Sequence, residues 1–424
     1  MAKIKQLNVA LLGLGTVGKG LVSLLKENEA EILNKHGAKV NIVKIFERNA
    51  DKLEKFGLDR NLFTDSMEDI CGDKNVDIVV ELLGRIHPSK EYIESALRAG
   101  KNVVTANKDL ICMHGGELLK TAKQNGAVLL YEASCLGAVP VINTLKNNFL
   151  GDEIKSIKGI FNGTTNYILT KMTQEGLSYE ECLKEAQALC YAESDPTNDV
   201  EGIDAAYKLC ILSRFAFGLD AKFEDISKKG ITQITPQDIQ IAARLGYTIK
   251  LLAIAKCGDG KLEMRVNPVF VSNNHQLSKI NGAFNACTIE GNYSDEITLI
   301  GRGAGSHPTA SAVANDIMNF AHKMGDVGQR SLKKAKMEKD GHMKYYLRMS
   351  VTDRAGILSG IAKIFGDNKI SIESVIQDKN DNPDIKSLII VTHMTTSGSM
   401  AKALEKISRA PSVQSVDSVI EVMG

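Results

Sequence analysis

The chain lacks a charge bias. Its 424 residues carry 52 Lys and Arg against 51 Asp and Glu, a net +1, so no broad electropositive field is available for nucleic acid or an anionic membrane. It also lacks an apolar run long enough to span a bilayer. The start, MAKIKQLNVALLGLG, is apolar but broken by glycines and has no cleavage-site pattern, so it reads as a strand and not as a signal peptide. The eight cysteines, Cys71, Cys112, Cys135, Cys182, Cys190, Cys210, Cys257 and Cys287, include no CxxC pair, which argues against a zinc site or a redox motif. Reduced thiols, a cytoplasmic location and a small-molecule partner are expected, with no nucleic acid and no membrane. What is there is an ordinary globular composition, 43% hydrophobic and 24% charged. A chain of this length is expected to divide into roughly two to four domains.

The segment from Leu7 to Leu12 is a nearly all-apolar run, the pattern of a strand buried on both faces of a parallel sheet. Gly13, Gly15 and Gly18 follow it directly, and from Val17 onward apolar residues recur at Leu21, Leu24 and Leu25 with helical spacing. A GxGxxG motif between a buried strand and an amphipathic helix points to a dinucleotide. Gly13 permits the tight turn, Gly15 lets the backbone approach a pyrophosphate, and Gly18 allows close packing of the helix. Further apolar runs at 40–46, 77–83, 102–106 and 128–131 alternate with helical stretches such as 90–99 and 115–124, hence a Rossmann-type parallel sheet. The second run ends at Glu47 and Arg48. A carboxylate there suits the ribose hydroxyl of NAD and an arginine the 2′-phosphate of NADP, so both stay open, with a lean to NADP.

Two stretches are unusual for generic core. In the first, a strand ends in Asn107 and Lys108 at the expected carboxyl edge of the sheet, which faces ligand in open α/β folds; a solvated surface lysine is the alternative. The second, YAESDPTNDVEGIDAAYK, crowds Glu193, Asp195, Asp199, Glu201 and Asp204 together, with a helix expected to start near Asp199. Asp204 and Lys208 then fall at i and i+4, beside an apolar stripe of Val200, Ile203, Tyr207 and Cys210. A lysine held by a carboxylate can give a proton to a carbonyl oxygen that receives hydride, and Glu193 and Asp199 can bind an ammonium group. From spacing alone a solvated charged loop stands equally well.

At this point the sequence resembles the homoserine dehydrogenases over roughly its first 320 residues. The blocks GLGTVG, TANKDL, YEASCLGAVPVI, FNGTTNYIL, YAESDPTNDVEGIDAAYK and GRGAGSHPTASAV occur in that family's order. The resemblance implies NAD- or NADP-dependent interconversion of L-homoserine and L-aspartate 4-semialdehyde, in threonine, methionine and isoleucine biosynthesis. By position it makes Lys208 the proton donor and acceptor, Lys108 a second catalytic lysine and Asp204 the residue that orients Lys208. Glu193 and Asp199 would bind the substrate amino group, with Gly163 and Thr164 nearby. The implied cofactor residues are Gly13, Gly15, Thr16, Val17, Gly18, Arg48, Thr105, Lys108 and Gly303. Glu132, Cys135, Gly137 and Val139 match a segment that holds a monovalent cation, usually sodium, through one glutamate and backbone carbonyls; Cys135 replaces a commoner apolar residue there.

Between Asp326 and His342 the chain turns polar and lysine-rich, like a linker or exposed hinge. Beyond it the strands and helices are expected in the order βαββαβ, the ferredoxin-like order. Asp353 and Gly356 at the first strand-to-helix turn are similar to the motif of ACT domains, which bind amino acids there. Feedback by a pathway product, threonine foremost, is the implied role, with a pure dimerisation module as the alternative. The expected plan is α/β: a Rossmann domain at 1–135, an α+β substrate and dimerisation domain at 136–325 whose last helix (about 305–325) packs back on the first, a linker at 326–343 and a ferredoxin-like ACT domain at 344–424. A homo-oligomer, dimer or tetramer, is expected. The phosphorylating semialdehyde dehydrogenases are disfavoured because no cysteine stands in a nucleophile context. A non-catalytic sensor is disfavoured because it has no use for the two lysines.

Overall fold

A computed structural model describes residues 4–322, 332–379 and 384–424. The chain forms two compact units, 1–157 with 206–225 and 285–334, and 158–205 with 226–284 and 335–424.

The first unit is built on six strands: β1 (Lys5–Leu12), β2 (Ala38–Phe46), β3 (Phe63–Thr64), β4 (Ile78–Glu81), β5 (Asn102–Thr105) and β6 (Leu129–Leu130). They lie side by side in the order β3-β2-β1-β4-β5-β6, all parallel. The chain leaves β1 towards β2 on one side and returns to β4 on the other, so the crevice between β1 and β4 is the topological switch point where such sheets bind ligand. Val9, Leu11, Ile78, Val80 and Val104 are fully buried in one core. Leu21 and Leu25 of α1 (Thr16–Glu27) join it, as do Val313 and Ile317 of the helix Ser306–Ala321. That late helix therefore packs on the first sheet. Ser306 fixes it by donating its hydroxyl to the Thr16 carbonyl at 2.8 Å, and a Cβ at Gly20 would lie 2.4 Å from that hydroxyl.

In the second unit Tyr247–Gly258 runs antiparallel to Lys261–Ser272. The last strand of the chain, Val413–Met423, pairs with the latter in parallel, Val269 to Val271 against Glu421 to Met423. The sheet continues through His342–Thr352, Ile385–Thr392 and Ile372–Lys379, all antiparallel. With the helices Ile357–Asp367 and Ser397–Ser408 this is the expected βαββαβ order, and its sheet is continuous with that of residues 247–272. Part of the expected linker, 326–331, lies outside the described residues. The described remainder is partly strand: Lys333–Lys334 runs beside Leu219–Asp220, and Lys336–Met337 beside Lys261–Leu262. Among the described residues no helix is long and apolar enough to cross a membrane.

Candidate functional site

The glycine turn is as tight as its spacing implies. Gly13 takes φ +100°, in the left-handed region that only glycine adopts freely. A Cβ on Gly18 would lie 2.2 Å from the Gly13 carbonyl oxygen, so α1 can approach the turn only with glycine at that position. Gly15 sits at the N-cap of α1 with no side-chain cap, leaving the helix N-terminus open for an anion. At the end of β2, Glu47 accepts the Leu14 N–H at 2.6 Å and the Lys52 ammonium at 2.5 Å. Burial pushes its carboxyl up, but Lys52 and Leu14 outweigh that and hold it below its ordinary value. Arg48 is exposed beside it.

At the end of β4 stands a residue the sequence reading passed over. Glu81 is fully buried and accepts the Leu83 N–H at 2.8 Å, the Gly84 N–H at 3.3 Å, the Ser89 hydroxyl at 2.9 Å and the Thr105 hydroxyl at 2.6 Å. Thr105 in turn accepts the Asn107 N–H at 3.0 Å, and Asn107 caps the helix Lys108–Gln124 through the Leu110 N–H. One buried carboxylate thus shapes the carboxyl edges of β4 and β5 and aims the helix whose first residue is Lys108. That helix starts seven residues before the Gly115 expected for it, because the Asn107 cap outweighs the Gly115–Gly116 pair inside it.

The expected helix near Asp199 is two helices, Thr197–Val200 and Ile203–Phe217. Gly202 breaks them: its φ is +76°, and a Cβ there would meet the Val266 side chain at 2.9 Å. The expected apolar stripe is covered only in part, Val200 and Cys210 being buried, and the charged face is buried as well. Ile203 and Tyr207 are half-buried, whereas Asp204 is 7% exposed and Lys208 8%. A carboxylate and an ammonium one turn apart on a helix and both out of water are not surface decoration. In the first unit the Lys208 helix packs against the Lys108 helix: Arg214 donates to the Ile111 carbonyl at 3.2 Å.

In the second unit Asn162 caps the helix Gly163–Glu175, which begins with Gly163 and Thr164. Its amide nitrogen donates to Asp199 at 2.7 Å and to Asp204 at 2.9 Å. Thr164 is buried and donates its hydroxyl to the Tyr191 carbonyl at 2.6 Å, tying this helix to the acidic loop. Glu193 is exposed on that loop.

Glu132 is 2% exposed and accepts the backbone N–H groups of Ile142 at 2.9 Å and Asn143 at 2.6 Å. Burial, against those two donors, pushes its carboxyl up to about 7. Leu136 and Gly137 both take φ +56°, which turns the chain sharply between Cys135 and Val139. A Cβ at Gly137 would meet the Gly303 carbonyl at 2.6 Å, so the segment expected to hold the cation and the glycine expected to hold the cofactor touch backbone to backbone. In the C-terminal part Gly356 takes φ +91° at the N-cap of Ile357–Asp367, and Asp353 pairs with Lys386 at 3.3 Å.

A family model described as Homoserine dehydrogenase, NAD binding domain matches residues 13–132. One described as Homoserine dehydrogenase matches 140–318, and one described as ACT domain matches 345–412. A homoserine dehydrogenase of Bacillus subtilis (strain 168) is 39% identical over 429 residues, 99% of each chain. A solved homoserine dehydrogenase from Thiobacillus denitrificans superposes with a TM-score of 0.90 at 36% identity, covering 99% of this chain and 98% of that one. A hyperthermophilic archaeal homoserine dehydrogenase solved in complex with NADPH superposes with a TM-score of 0.64 at 29% identity, covering 75% of this chain and 98% of its own. With a phosphate-ready glycine turn, a buried lysine-carboxylate helix and relatives matched from end to end, the chain belongs to the homoserine dehydrogenases, which are NAD(P)-dependent oxidoreductases.

Proposed function

We propose that the chain interconverts L-homoserine and L-aspartate 4-semialdehyde, with NADP preferred over NAD, as a step of threonine, methionine and isoleucine biosynthesis. The observation that carries this is Lys208, 8% exposed and one helical turn from an equally buried carboxylate, Asp204. The bound nicotinamide supplies or accepts the hydride. Reduction of the aldehyde leaves charge on its oxygen; Lys208 gives that oxygen a proton, and takes it back when homoserine is oxidised. Asp204 keeps Lys208 aimed, and Lys108 assists as the second catalytic lysine. Glu193 and Asp199 hold the substrate ammonium, with Gly163 and Thr164 beside it. Gly13, Gly15, Thr16, Val17, Gly18, Arg48, Thr105, Lys108 and Gly303 hold the cofactor.

The same reading assigns residues 1–135 to the cofactor, 136–325 to substrate and dimerisation, and 344–424 to regulation by an amino acid, threonine foremost, at Asp353 and Gly356. Equal activity with and without saturating threonine would remove threonine as the effector. Glu132 with the carbonyls of Cys135, Gly137 and Val139 holds sodium; a buried carboxylate beside a sharply turned backbone segment suits a monovalent cation. The assembly is a homodimer or tetramer. The catalytic assignment is tested by Lys208→Ala, which is expected to lower kcat by about 10²- to 10⁴-fold while cofactor binding stays unchanged. Retained turnover would remove Lys208 from the chemistry.

A further inference from the structure

Asn162 is none of the expected site residues, yet two aspartates of the acidic block, Asp199 and Asp204, converge on it. Its side chain is buried, 4% exposed, and its orientation is fixed by what each end meets. The oxygen accepts the Thr165 N–H at 2.8 Å and the Thr165 hydroxyl at 3.0 Å, so the nitrogen faces away from the helix. A carboxamide nitrogen has two hydrogens. Here one goes to Asp199 at 2.7 Å and the other to Asp204 at 2.9 Å.

The base that carries this amide is itself anchored. One turn further on, Asn166 donates to the carbonyls of Ile280 at 3.2 Å, Gly282 at 2.8 Å and Phe284 at 3.1 Å. Its oxygen accepts the ammonium of Lys250, a fully buried lysine, at 3.0 Å. The start of the helix cannot slide without breaking these bonds. Two carboxylates drawn together would repel, and a donor from a helix N-terminus between them offsets that repulsion while fixing their separation.

We propose that Asn162 is a positioning residue: it sets the spacing between the carboxylate that receives the substrate ammonium, Asp199, and the one that aims the proton-transfer lysine, Asp204. The inference rests on the proposed roles of those two aspartates. It makes substrate recognition and lysine orientation depend on one amide, so disturbing that amide changes both.

The test is Asn162→Asp, which has the same shape and keeps a helix-capping oxygen but turns a third carboxylate towards the other two. The expected result is at least a tenfold rise in KM for homoserine, with KM for the nicotinamide cofactor within twofold of the wild type. The acid limb of the kcat/KM profile moves to higher pH, because crowded carboxylates hold protons longer. Asn162→Ser retains a capping hydroxyl and removes both donors. It is expected to raise KM for homoserine with the acid limb in place, and it decides the matter by that split if the aspartate variant does not fold. Unchanged KM for homoserine in the serine variant, or equal losses for both substrates that track a lower Tm, would overturn the inference and leave Asn162 a helix cap. No homoserine oxidation by the wild-type chain would instead overturn the reading beneath it, and the inference with it.

Discussion

Glu47 at the end of β2 accepts the Leu14 backbone N–H at 2.6 Å, so the carboxylate that could have received a ribose hydroxyl braces the glycine turn. Its other partner, Lys52, holds it ionised in that place. Arg48 is exposed next to it, and the proposed role of that arginine is at the adenosine end of the cofactor.

NADP should therefore be preferred, and Arg48→Ala should raise KM for NADP by about 10- to 100-fold, the worth of one charge-assisted hydrogen bond. KM for NAD should move little. Initial rates with each cofactor check this, and equal effects on both would place Arg48 outside the 2′-phosphate site.

Sodium should matter more at pH 8 than at pH 5. Burial pushes the Glu132 carboxyl up to about 7 from an ordinary 4.5. A carboxyl whose pKa rises on folding leaves stability intact below about 4.5 and removes it as pH climbs through 7 and the buried group ionises. A cation bound at the proposed site would restore what is lost. Replacing sodium by tetramethylammonium should lower Tm by a few degrees at pH 8 and hardly at all at pH 5. In Glu132→Gln the difference should vanish, and a sodium effect that survives in that variant would place the cation elsewhere.

Lys250 should make the chain more stable in mild alkali. Burial lowers its ammonium from 10.5 to about 8. The folded state thus sheds a proton that the unfolded state keeps between those values. Stability then rises with pH across that window, by roughly 3 kcal/mol at most. Urea unfolding of the wild type and Lys250→Met at pH 7.5 and 10 reads the difference directly. The wild type should gain relative to the variant as pH rises; parallel behaviour would mean that the lysine is no more protonated unfolded than folded.

The glycine turn, the parallel sheet and the βαββαβ tail were legible because each is written in local spacing: glycines at fixed offsets, short apolar runs, and strand and helix periods in a set order. Glu81 was not. A glutamate closing an apolar strand looks like a residue at the water's edge, and only the convergence of Leu83, Gly84, Ser89 and Thr105 upon it shows a buried organiser. Asn162 was hidden for the same reason, since its partners lie 37 and 42 residues away. The break at Gly202 was not legible because a single glycine in a helical pattern is ordinary, and the Val266 side chain that a Cβ there would meet is distant in sequence. The pairing of Val269 to Val271 with Glu421 to Met423 spans about 150 residues, beyond any local signal.

Absorbance at 340 nm reads homoserine oxidation itself. Purified protein is given homoserine, threonine or serine in turn, each with NADP and with NAD, at alkaline pH in sodium-containing buffer. Reduction is expected with homoserine alone, faster with NADP. No homoserine-dependent reduction with either cofactor would mean that the chain does not oxidise homoserine.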